Sequence, residues 1–113
     1  MARDAARLAL ADQIRRLIDN HFMEHFTIGR LAQRLHRSRS QIASIFRERY
    51  GMSIHDYLTQ RRVRAAVQAL ETSDAKVESV ALDSGYRSKK DLYRVIKATT
   101  GLTPAKLRTG RQG

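Results

Sequence analysis

The sequence predicts an all-α chain: two helix-turn-helix subdomains joined by a long connecting helix, about seven helices in all. Three observations carry this. Apolar residues recur at helical spacing along the chain, and no run of β-branched residues alternates with period two. Gly and the single Pro fall at element boundaries. Most telling, SRSQIASIFRERYGMS (residues 38–53) returns fifty positions later as SKKDLYRVIKATTGLT (residues 88–103). At that offset Ser38 meets Ser88, Ile42 meets Leu92, Phe46 meets Ile96, Arg47 meets Lys97 and Gly51 meets Gly101. Ala43-Ser44 against Tyr93-Arg94 do not agree. A frame is kept and a face is varied.

The elements follow in order. Leu10, Ile14, Leu17, Ile18 and Phe22 lay an apolar stripe on a helix from Ala5 to about His21, with Phe22 and Phe26 expected in the core. Thr27 can cap a second helix whose inner face is Ile28, Leu31, Ala32 and Leu35. After a break at His36-Arg37, Ser38 caps a third helix to Tyr50, and Gly51 supplies the left-handed residue that ends it. Ser53 caps a long fourth helix carrying Ile54, Tyr57, Leu58, Ala66 and Leu70, and Thr72 to Lys76 is a turn. Val77, Val80 and Ala81 mark a short fifth helix, followed by a turn at Gly85-Tyr86-Arg87. Ser88 to Thr100 is a sixth helix closed by Gly101, and Thr103-Pro104 starts a last short one, with proline at its first position. The expected domains are an N-terminal subdomain over 1–53, a connector over 54–71 and a C-terminal subdomain over 72–108. A basic tail over 109–113 is expected to be disordered.

Net charge is +11, and its distribution says more than its size. Four Arg and four acids cancel from Met1 to Phe26, whereas six Arg face Glu48 alone from Thr27 to Tyr50. From Gly101 onward the chain adds Lys106, Arg108 and Arg111 with no acid. The excess starts where the repeat starts, which points to a polyanion, nucleic acid ahead of a membrane surface. The absence of Cys removes disulfides and thiolate metal sites. The N-terminus mixes Arg and Asp into its apolar residues, so it lacks a signal-peptide core. No apolar run approaches the roughly 18 residues of a membrane span. The expected setting is the cytoplasm, with no membrane partner.

A helix-turn-helix needs a first helix that holds the second rigidly, hence apolar Leu31-Ala32 and Val80-Ala81 with alanines small enough for close packing. It needs a tight turn, which Gly85 permits. Its second helix must present side chains to base edges in a major groove about 12 Å wide. One such motif is a weak signal; two basic copies ending alike are a strong one.

Here the sequence resembles the DNA-binding domain of the AraC/XylS-type transcription regulators. The matching residues are Leu31-Ala32, Leu35, Ser38, Ile42 and Phe46-Arg47 before Gly51, then Tyr57, Arg62, Ala66 and Leu70. Ala81, Gly85-Tyr86, Ser88, Lys97, Gly101 and Thr103-Pro104 complete the match, which covers roughly Ala5 to Arg108. The resemblance implies a monomer whose two recognition helices enter successive major grooves of double-stranded DNA. It also implies RNA polymerase as a partner and activation as the outcome. Chain length is nearest the small stand-alone MarA/SoxS-like members, which carry no separate sensor domain. Independently, Ile54 to Glu71 as one helix spans about 27 Å, against about 34 Å between successive major grooves.

The base-contact candidates on the first recognition helix are Arg39, Ser40, Ala43 and Ser44. Those on the second are Lys89, Lys90, Tyr93 and Arg94. Ala43 can touch a thymine methyl and Ser44 can donate or accept, both with weak discrimination, while Arg94 can reach guanine in bidentate fashion. Asp91 either accepts from cytosine or favours its own helix N-terminus, the reading preferred here. Arg37, Arg47, Arg87, Lys97 and Arg108 suit phosphates, which fix register without reading sequence. Leu92, Ile96 and Leu107 replace family aromatics and read as repacked core; Arg62 reads as an intramolecular bond.

HFMEH, His21 to His25, matches an inverted zinc-protease pattern. A zinc site would need a distant third ligand, His36 and His55 have no partner at ligand spacing, and the segment lies at a helix end among core phenylalanines, so neither metal nor cofactor is expected. No phosphate loop or catalytic triad order appears, and an enzyme is not expected. Two alternatives to a sequence-specific regulator stand: a sequence-tolerant architectural DNA- or RNA-binding protein, and a module that binds another regulator.

Overall fold

The computed structural model describes residues 2–25 and 27–110. Over these the chain is all-α: α1 Ala2–His21, α2 Ile28–Leu35, α3 Arg39–Tyr50, α4 Ile54–Thr72, α5 Val77–Asp83, α6 Lys89–Thr100 and α7 Pro104–Gly110. Each expected helix is present. α1 begins ahead of Ala5, and Thr109 and Gly110, which the sequence places in the tail, complete α7. The core role expected of Phe26 and the remaining tail, Arg111 included, lie outside the described residues. Gly29 departs from the boundary rule, since it is the second residue of α2.

The chain divides into two compact units, Met1–Thr59 and Gln60–Gly113, with the division inside α4. In the first, Ala11, Ile14 and Ile18 of α1 are fully buried, with Leu31, Ala32, Ile42, Ile45, Phe46, Ile54 and Leu58 also in the core. Leu10 and Leu17, which the spacing puts on the inner stripe, are only half-buried. In the second unit, Val63, Ala66 and Leu70 of α4 pack with Val80, Ala81, Leu92, Ile96 and Leu107. Leu92, Ile96 and Leu107 are thus core, as their apolar character requires. Fully burying such side chains stabilises by about 1.5–3 kcal/mol each. Within the first unit α4 supplies the closing residues Ile54 and Leu58; within the second its later turns form the scaffold.

Polar clamps fix α1 in the first unit. Tyr50 donates its hydroxyl hydrogen to Asp12, and Tyr57 donates to Asp19 at 2.7 Å. Phe46 packs against both rings, tilted to Tyr50 with centroids 4.8 Å apart and edge-on to Tyr57 at 5.5 Å. The Arg15 and Arg49 guanidinium groups each lie 5.5 Å from the Tyr50 ring centre. These contacts hold α3 and the start of α4 against α1, and α3 also packs on α2.

Candidate nucleic-acid interface

Each unit builds the second helix of its helix-turn-helix, α3 or α6, between the same caps. Ser38 Oγ accepts from the Gln41 amide, and the Gln41 side chain accepts from the Ser38 amide, both at 3.1 Å. Ser88 Oγ accepts from the Asp91 amide at 3.2 Å. At the far ends Gly51 and Gly101 take φ of +73° and +76°, and their amides donate to the Arg47 and Lys97 carbonyls. Glycine adopts this left-handed backbone without the Cβ clash other residues meet.

The turns repeat at a different offset. The Arg37 amide donates to the Ala32 carbonyl at 3.0 Å, and the Tyr86 amide to that of Ala81 at 2.9 Å. His36 and Gly85, one residue before each donor, are left-handed at φ +55° and +94°. These pairs are 49 residues apart, whereas the caps Ser38 and Ser88 are 50 apart. The second turn therefore carries one extra residue, Arg87. Residue type marks Gly85 as a left-handed position but gives no such signal for His36.

The buried residues decide which face is free. On α3, Ile42, Ile45 and Phe46 point inward, while Arg49 pairs with Asp12 at 3.5 Å and Glu48 pairs with Arg7, both on the α1 side. Ser40, Ala43, Ser44 and Arg47 are left as an exposed stripe at helical spacing. On α6, Leu92 and Ile96 are buried, and Lys90, Tyr93, Arg94 and Lys97 form the equivalent stripe. The first stripe is short and weakly polar; the second carries long donors and a ring 47% exposed.

All the sequence-derived interface residues are exposed except Arg108. Arg108 is half-buried: its Nε donates to the Leu70 carbonyl at 3.3 Å, satisfying the end of α4, and its Nη2 is buried. Exposed Arg37 and Arg87 lie in the two turns, and Arg47 and Lys97 one turn from the helix ends. Arg39 and Lys89 are exposed but already engaged, Arg39 over Gly29 and Lys89 with Glu78 at 3.6 Å. Asp91 sits in the first turn of α6, where its negative charge favours the helix N-terminus.

Two features escape a reading of the sequence alone. Arg30 shares an open hollow of about 640 Å³ with His36, Arg37, Ser38 and Arg39, so it adds a cation beside the first turn. Its one signal is the charge run from Thr27 to Tyr50. Tyr86 packs its ring on the core of the second unit while its buried hydroxyl makes no hydrogen bond. Burial pushes that phenol above its ordinary pKa, and the nearby Arg62 and Arg94 charges oppose the rise. Arg62 is half-buried, and burial lowers its pKa while the Tyr86 phenol opposes the fall. His21 and Glu24 of the HFMEH segment bond at 2.6 Å, and among the described residues no cluster of three metal-ligating groups forms.

Residues 31–110 match a protein family described as a helix-turn-helix domain. The chain is 29% identical over 105 residues to the uncharacterized HTH-type transcriptional regulator YtdP of Bacillus subtilis, covering 93% of this chain and 14% of that protein. It is 29% identical over 94 residues to the arabinose operon regulatory protein of Salmonella typhimurium, covering 82% of this chain and 34% of that protein. The chain thus spans well under two thirds of these relatives. Among solved structures, it superposes on the DNA-binding domain of AdpA, a global transcriptional factor crystallised with a target DNA. The TM-score is 0.84 at 30% identity, covering 90% of this chain and 92% of that one.

Proposed function

Because this chain belongs to the AraC family of helix-turn-helix DNA-binding transcription regulators, we propose that it binds one duplex as a monomer, α3 and α6 entering successive major grooves. The observation that carries this reading is the twinned stripe. Ser40, Ala43, Ser44 and Arg47 on α3, and Lys90, Tyr93, Arg94 and Lys97 on α6, stand at one register opposite equivalent buried residues. The AdpA domain, of which this fold is a near copy, was solved on a target DNA, which supports the same use here.

On this reading Tyr93 and Arg94 supply most of the base discrimination, with Ser40, Ala43, Ser44 and Lys90 beside them. Arg37, Arg47, Arg87 and Lys97 hold phosphates, and Arg30 joins them at the first turn. Arg39 and Lys89 enter the groove only when freed from their present partners. The regulator acts in the cytoplasm, where the chromosome is, and as an activator that contacts RNA polymerase; family membership is the support for these last roles. The short side chains of the first stripe favour a second reading, in which that half tolerates many sequences and only the second half specifies.

Selection from random duplexes tests both. A two-part motif with a sharper second half is expected. Flat enrichment throughout contradicts sequence-specific regulation and favours an architectural role.

A further inference from the structure

Each recognition helix begins with a cation, and in both units that cation is held against the helix before it. In the first unit the Arg39 guanidinium lies on Gly29: a Cβ at position 29 would stand 2.7 Å from Nη2, 3.2 Å from Cζ and 3.3 Å from Nε. In the second unit Lys89 Nζ lies 3.6 Å from Glu78 Oε1. Gly29 and Glu78 are the second residues of α2 and α5. They are equivalent in the 49-residue frame before the turn, as Arg39 and Lys89 are in the 50-residue frame after it. One position thus meets one cation twice, once through a missing side chain and once through a carboxylate.

Building on the two-helix reading of DNA above, we propose that Gly29 and Glu78 are positioning residues that set specificity from outside the recognition helices. Each holds back the first cation of the following helix and so limits which phosphate or base that cation reaches. The two tethers differ in chemistry. Arg39 rests on bare backbone, a contact of shape that salt leaves largely unaffected. Lys89 and Glu78 form an ion pair between side chains 60% and 63% exposed, which salt weakens. The Glu78 carboxyl is held below its ordinary pKa by its own backbone amide first and by Lys89 next, with Lys76 adding to the effect. It therefore stays ionised at neutral pH, and a duplex phosphate must compete with it for Lys89.

The test is a pair of double-mutant cycles on the full chain, read by affinity, salt slope and selected motif. Glu78→Gln is expected to tighten binding about two- to fivefold, the range of an exposed ion pair, and to steepen the salt slope by about one. Lys89→Ala in the Glu78→Gln background should remove most of that gain. In the first unit Gly29→Ala meets only the far end of a flexible side chain, so the chain should melt no lower than wild type. It should alter base preference at one position of the first half-site, and Arg39→Ala added to it should restore the original motif. The second tether is overturned if Glu78→Gln gains equally with and without Lys89, the mark of a plain charge effect. The first is overturned if a folded Gly29→Ala protein selects the wild-type motif. A wild-type protein that selects no two-part motif fails earlier and sinks the DNA reading instead.

Discussion

Arg94 and Arg47 are exposed cations on α6 and α3, yet on the proposed function their removal should have different consequences. Arg94→Ala should relax base preference in one half-site, by about 1–3 kcal/mol if it reads guanine. Arg47→Ala should weaken all sequences alike and flatten the salt slope by about one. Selected motifs and titrations at several salt concentrations separate the two. The tyrosines offer a stability contrast. Tyr57→Phe deletes a hydroxyl bonded to Asp19 at 2.7 Å, a loss of about 1 kcal/mol. Tyr86→Phe deletes a buried hydroxyl with no hydrogen bond and should cost nothing measurable in urea unfolding. Residue type and helical phase are enough to place Arg94 and Arg47 on the outer face. They are not enough for Arg108, whose acceptor, the Leu70 carbonyl, is 38 residues away. Nor can they show that Arg39 folds over Gly29, a matter of rotamer and of space created by packing.

Among the elements, the caps are the most legible, because Ser, Thr and Gly at helix ends satisfy local hydrogen bonds that any helix leaves open. The one-residue insertion in the second turn is not, since an alignment anchored on the caps hides a change of frame ahead of them. At Gly51 and Gly101 a Cβ would meet nothing within 4 Å, so the backbone alone opposes substitution there. Gly51→Ala and Gly101→Ala should each cost about 1–2 kcal/mol, the left-handed penalty of an L-residue, measured by thermal or urea unfolding. The α1–α3–α4 clamp of the first unit brings a pH dependence. Tyr50, then Arg49 and Arg16, hold the Asp12 carboxyl below its ordinary pKa against the opposing effect of burial. Its contribution is present above the unfolded carboxylate value and is lost as pH falls through the lower folded value. Tyr50 and Tyr57 are raised, by burial first and by their aspartate partners next. Their contribution is present below the unfolded phenol value and is lost as pH rises through the higher folded one. Stability of this unit should therefore be flat between about pH 4 and pH 10 and fall on either side. Tyr50→Phe should blunt the acid fall, as seen in melting temperatures across pH.

For the molecule as a whole, the repeated frame is legible because a buried residue must return at helical spacing for each unit to have its own core. The division inside α4 is not, because its early apolar residues close one core and its later ones build the next without any break in sequence. Two cores on one chain carry two candidate recognition helices, and the proposed function depends on both of them reading one duplex from a single chain. Hydroxyl-radical footprinting on a selected duplex, with binding stoichiometry determined in parallel, tests it most directly. Two protected patches on one face, about 10 base pairs apart, at one chain per duplex, are expected. A single protected patch, or two chains needed for the paired one, would contradict it.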